Sequence, residues 1–161
     1  MTKNIFLTAL LAVLVTFFSV NTAKAGDGEE ISHNGYGFSK IVDLNYDEAV
    51  EKLKAELKKE GFGALTEVDV KKTLKKKLDV NFKPYKIIGA CNPPFAYKAL
   101  QAEEQIGLLL PCNVIVYVND EGNTIVAVID PIASMQRVGN DNLEDVAKTI
   151  QEKLKRVIEN I

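Results

Sequence analysis

Cys91 and Cys112 are the two thiols of this 161-residue chain. Cys91 stands in YKIIGACNPP and Cys112 in LLLPCNVIVYV, with twenty residues between them. That gap matches neither the C-x-x-C of a dithiol redox motif nor the close cysteine pairs of a zinc site. Both fall in β-rich apolar runs, where burial raises a thiol pKa and favours inert packing over nucleophilic attack. Three states of the pair remain open: a structural disulfide, two buried free thiols, or a redox or soft-metal pair. A disulfide closing a loop of about 20 residues would stabilise the fold by about 3 kcal/mol in the chain-entropy picture. It requires Cα atoms within about 7 Å of each other.

The remaining reactive side chains are few. His33 is the single histidine, set in the polar, Gly-rich stretch GDGEEISHNG, and one histidine without partners does not hold a metal. Met135 reads as a filler of irregular core space. No C-x-x-C-H haem attachment motif is present, which leaves only noncovalent haem through His33 or Met135. Glu103 and Glu104 lie near the expected C-terminal end of a helix, where a carboxylate opposes the helix dipole. No G-x-S-x-G elbow, P-loop, G-x-G-x-x-G fingerprint or H-E-x-x-H is present. With no convergent acid, base and nucleophile, the chain leans away from an enzyme, and its residues specify no cofactor.

The elements that would position these groups follow from periodicity and caps. Strands are expected over Tyr36–Leu44, from Gly63 through GALTEVDV, over Tyr85–Cys91, over Leu108–Val118 and over Thr124–Asp130, the last two joined by the turn residues NDEGN into a hairpin. Asn45 and Glu48 form a capping box ahead of Ala49, Val50, Leu53 and Leu57, a stripe at helical spacing. Val70, Leu74 and Leu78 define a short helix whose Lys71, Lys72, Lys75, Lys76 and Lys77 make a solvated basic face. Asn92 is placed to cap a helix with Pro93 in its first turn and Gly107 at its end. A final helix near Asn142 carries Leu143, Val146, Ala147, Ile150, Leu154, Val157 and Ile158 on one side. Lys86 suggests that Tyr85, Ile87, Gly89 and Cys91 face inward. Cys112 aligns with Val114, Val116 and Val118, with Asn113, Ile115 and Tyr117 opposite. Five strands and three main helices in this order predict an α+β fold, a largely antiparallel five-stranded sheet with helices packed on one face. An apolar second face of such a sheet needs a cover, either a second copy or a ligand.

The chain opens MTKNIFLTALLAVLVTFFSVNTAKAGDGEE, with basic Lys3, an apolar run from Ile5 to Val20 and the small-x-small site Ala23-Lys24-Ala25. This is the pattern of a secretory signal peptide over residues 1–25, cleaved after Ala25 with no stable membrane anchor left; the alternative is a leader kept as an N-terminal membrane anchor. Residues 26–34 then form a flexible arm, and 35–161 suit one domain with one core. The formal net charge is −2. The leader removes two lysines and no acid, so the mature chain is more acidic still, which argues against nucleic acid as a partner. A periplasmic or secreted location follows, an oxidising setting for the two thiols.

Taken together, GACNPPFAYKAL, EEQIGLLLPCNVIVYV and AVIDP resemble domain-of-unknown-function family 302, across about residues 35–160. The resemblance implies a curved antiparallel sheet gripped by helices, similar to the TATA-binding-protein type of fold, and homodimers in some members. The matching positions are Cys91, Asn92, Pro93, Glu104, Gly107, Pro111, Cys112, Asp130 and Pro131. No established activity comes with them. If members without an export signal also carry the cysteine pair, a cross-link is not its only purpose. Glu104 gains over Glu103 as a site candidate, beside Cys91, Asn92 and Cys112. The expected function is an exported noncatalytic module binding a small ligand or an envelope protein. The alternative is a thiol redox, soft-metal or haem protein using the two cysteines.

Overall fold

The computed structural model describes residues 30–161. The expected signal peptide, its cleavage site and the first residues of the arm lie outside them. Six antiparallel strands form one open sheet in the order β1-β2-β6-β5-β4-β3: β1 (Ser32–His33), β2 (Gly37–Val42), β3 (Gly63–Asp69), β4 (Tyr85–Cys91), β5 (Cys112–Val118) and β6 (Thr124–Ile129). The helices are α1 (Tyr46–Lys59), α2 (Val70–Leu78), α3 (Pro93–Ala102), α4 (Pro131–Met135) and α5 (Glu144–Glu159). The α+β reading holds, and the strand count is corrected from five to six.

The extra strand lies in the segment expected as an arm. Ser32 pairs with Ser39 and His33 with Phe38. The two serine hydroxyls meet at 2.7 Å, and the His33 ring stacks on Phe38 at 4.5 Å between centroids. A two-residue strand carries no periodicity. Its signal was the Asn34-Gly35 pair, a preferred hairpin dipeptide. Gly35 sits at φ +88°, and the Asn34 Oδ1 accepts from Gly37 N at 2.9 Å.

Register decides which side of the sheet is core. Phe38 and Val114 both lie opposite Val128, and Ile88 lies opposite Val114. One continuous row therefore runs across four strands, and all four of these side chains are buried. Against it pack Leu53 and Leu57 of α1 and Leu154, Val157 and Ile158 of α5, each fully or almost fully buried. Burying a side chain of this kind stabilises by about 1.5–3 kcal/mol, so this layer carries the fold.

The inward assignment of β4 is reversed. Ile88 and Ala90 are the core residues, whereas Tyr85, Ile87 and Gly89 face the other side, and Cys91 follows them in the alternation. Lys86 misled the reading because a long lysine crosses an apolar face to a charge. Its Nζ lies 3.6 Å from Glu67, whose other oxygen binds Lys54 of α1 at 2.7 Å.

Helix α1 begins as expected. The Asn45 Oδ1 accepts from Glu48 N at 3.0 Å and Glu48 Oε2 accepts from Asn45 N at 3.2 Å. Asn45→Ala is expected to cost about 1 kcal/mol, read as a lower urea midpoint with unchanged slope. Helix α2 ends with Asp79 in the left-handed region and buries none of its residues, so its lysines line a solvated helix. Helix α3 stops at Ala102 rather than Gly107. A 3-10 helix, Glu104–Leu109, follows, and Glu103 Oε1 accepts from Gln105 N at 3.2 Å. Glu103 and Glu104 are thus at the positive start of a new turn, which removes the apparent conflict with the helix dipole.

Candidate functional site

Cys112 opens β5 and Cys91 closes β4, on neighbouring strands. Ala90 lies opposite Cys112, so Cys91 is one residue further along β4, where the alternation points to the other face. Cys112 is buried and Cys91 half-buried, and both thiols are free. They line one hollow of about 20 Å³ together with Asn92, Phe95, Met135 and Ile150 among others. Burial pushes the Cys112 thiol up to about 11, and the neighbouring Cys91 sulfur adds to the rise. Burial also raises Cys91. Both are therefore protonated at neutral pH, a poor state for a nucleophile.

Asn92 occupies the residue before α3 but does not cap it. Its Nδ2 instead donates to the Glu60 carbonyl at 3.2 Å, and the side chain is buried. Lys153 Nζ donates to the same carbonyl at 3.1 Å, while Arg156 grips the Glu60 carboxylate at 3.0 and 2.9 Å. The Arg156 hydrogen bond, with help from Lys153, holds Glu60 below the usual carboxylate range against the opposing effect of burial. The end of α1, the start of α3 and the middle of α5 are thereby tied at one point. Glu104 is exposed on the 3-10 helix and is not among the residues lining the hollow. The structure thus brings together Cys91, Asn92 and Cys112, with Met135 as a fourth member that sequence reasoning had assigned only to packing.

A second cluster went unread in the sequence. Asp130 is buried, and its Oδ1 accepts from Ile132 N at 2.9 Å, from Ala133 N at 3.4 Å and from Gln151 Nε2 at 2.7 Å. Its Oδ2 meets His33 Nε2 at 3.0 Å. Burial works against ionisation here, yet the Gln151 amide, the two backbone N–H groups and His33 outweigh it and hold the carboxyl low. The available signal was Asp130-Pro131, a helix cap followed by proline in the first turn. The partners come from residues distant in sequence, which no local pattern reveals.

The outer side of the sheet is the third feature. Ile87, Ile115 and Ala127 form its middle row by register, with Ile41 and Ile125 on the adjoining strands and Tyr85 stacked on Tyr117 at 5.4 Å. None of the outward positions from β2 through β3 is charged among the described residues. A shallow trough of about 240 Å³ crosses it at Tyr36, Ile115, Tyr117 and Ile129. That is less than the roughly 300–1,000 Å³ typical of small-molecule sites.

A family model described as "Domain of unknown function DUF302" matches residues 38–161. Among solved structures, the chain is similar to the crystal structure of an uncharacterized conserved DUF302 protein from Bacillus stearothermophilus. The identity is 28%, the match covers 77% of this chain and 96% of the other, and the TM-score is 0.73. No curated protein matches.

Proposed function

The chain belongs to the DUF302 family, and from that premise we propose that it is an exported, noncatalytic binding module whose outer sheet face closes against a second copy of itself. The uncharged outer face carries this reading. A face that meets its own copy across a two-fold axis places like charges near like charges, and a surface without charge avoids that penalty. Five strands about 4.8 Å apart and some six residues long span about 24 Å by 20 Å. Two such faces bury about 1,000 Å², the lower bound of a specific interface. The β-rich, half-buried isoleucines and tyrosines fit the apolar centre of such a patch. Export rests on the leader pattern and places the dimer in the periplasm or outside the cell.

Ile115 lies in the middle row and is the position to test. Ile115→Lys sets two ammonium groups near the axis of the dimer, so sedimentation is expected to convert a wild-type dimer into a monomer. Loss of monomer stability stays within about 1 kcal/mol, because the face is open in the monomer. A wild type that stays monomeric at all concentrations, or an Ile115→Lys variant that dimerises like wild type, overturns the reading. So does a wild type found only as a complex with an envelope protein.

A further inference from the structure

We propose that α2 and the segment after it dock on the surface of an anionic lipid bilayer. Between Asp69 and Lys83 stand six lysines and two aspartates, a local charge of +4 in a chain whose net charge is −2. Five of the nine large apolar side chains exposed among the described residues, Leu65, Val68, Leu78, Val80 and Phe82, fall in positions 65–82. Basic and apolar surface thus coincide on one part of an otherwise acidic molecule. A helix kept only for solubility accounts for the lysines, but it gives no reason for Leu78 to stay 65% exposed with exposed Val80 and Phe82 close behind it. Concentrated exposed apolar surface marks an interaction site. Helix α2 buries none of its own residues, so the core does not dictate its composition.

At about 100° per residue, Val70, Leu74 and Leu78 span an arc of about 80°, with Lys71 and Lys75 on one flank and Lys77 on the other. Val70 and Leu74 are half-buried and hold the helix beside β4, while Leu78 projects exposed at its end. Among the described residues, Lys71, Lys76 and Lys77 have no carboxylate in ion-pair reach, whereas Lys72 meets Asp69 at 3.8 Å and Lys75 meets Asp79 at 2.7 Å. Three ammonium groups are therefore available to lipid phosphates. Lysine stems lie along apolar surface and carry their charge outward, so Leu78, Val80 and Phe82 enter the headgroup boundary while the lysines meet phosphate around them. Charge alone also fits a soluble polyanion. The apolar side chains at the end of α2 favour a bilayer, which offers acyl chains as well as phosphate. Lys71, Lys76, Lys77 and Leu78 lie outside the sheet, so this docking is independent of closure of the outer face.

The test is flotation of the full chain with vesicles of phosphatidylethanolamine and phosphatidylglycerol, against vesicles of phosphatidylcholine alone. Binding to the anionic vesicles is expected to exceed binding to the neutral ones and to fall with added salt. Each lysine at an anionic surface contributes about fivefold in affinity, so a variant carrying both Lys76→Gln and Lys77→Gln should bind about thirtyfold more weakly. Leu78→Gln should weaken binding about tenfold, because a leucine that enters the boundary is lost. Both variants change exposed positions and should keep the wild-type unfolding midpoint. A leader still attached contributes equally to wild type and variants, so their difference reads α2 alone. Ile115→Lys should keep the preference for anionic vesicles, which separates a failure here from a failure of the dimer. Equal binding to both kinds of vesicle, no binding to anionic vesicles whether or not heparin binds, or a lysine double variant that binds like wild type overturns the proposal.

Discussion

Asp130→Ala is expected to lose about 3 kcal/mol of stability at neutral pH, read as a lower urea midpoint. The carboxylate caps α4 through Ile132 N and Ala133 N, and loss of a cap costs about 1 kcal/mol. It also accepts from Gln151 at 2.7 Å and meets His33 at 3.0 Å, and hydrogen bonds to a charged group contribute about 1.5–3 kcal/mol. Alanine leaves the Gln151 amide without this acceptor and frees the His33 ring from its anchor on β1. The effects are not additive, which is why the expected loss is below their sum. Asp130→Asn keeps one oxygen for the cap and Gln151 and should lose about half as much. The pH dependence has a definite sign. The folded carboxyl titrates below its unfolded value, about 3.9, so its contribution is complete above that value and disappears as pH falls through the lower folded value. Wild type and Asp130→Ala should therefore converge in stability in acid. A difference under about 0.5 kcal/mol at neutral pH, or one that grows in acid, contradicts this account of the cluster.

What could be read from the chain was what local chemistry determines. The Asn45 capping box, the bounds of β4 and the stripe on α5 all rest on residues within a turn or two of each other, and the structure reproduces them. The errors occurred where a distant partner decides. Lys86 turns inward because Glu67 is there, and no alternation rule anticipates that in a run such as YKIIGAC. Asn92 had the right type and place for a cap, but the Glu60 carbonyl across the domain takes its amide instead. The candidate site was half legible for the same reason. The strand pattern placed Cys112 inward and β4 beside β5, as the structure has them, but the facing it gave Cys91 falls with the reversal of β4. That Met135 shares their hollow depends on how α4 folds back after Asp130, which is a tertiary fact.

Gly89→Val is the other large effect, expected at about 3 kcal/mol, with Gly89→Ala at about 2 kcal/mol, in the range for overpacking a rigid site. Gly89 sits inside β4, where glycine weakens a strand unless another group approaches the backbone closely. Here two do. A Cβ at Gly89 would collide with Thr66 Oγ1 and would stand 2.6 Å from the Pro111 Cγ. Thr66 can turn about χ1, but the proline ring cannot fold away, so Pro111 must move. Pro111 is joined to Cys112, so its displacement should shift the start of β5. Faster alkylation of Cys112 is therefore expected alongside the stability loss. Gly107→Ala is the matched control, since a Cβ there meets nothing within 4 Å and the residue has no positive φ. It should be neutral or stabilise by about 0.4–1 kcal/mol through the unfolded chain. A Gly89→Ala variant as stable as the Gly107→Ala control would mean that Pro111 is not held against β4.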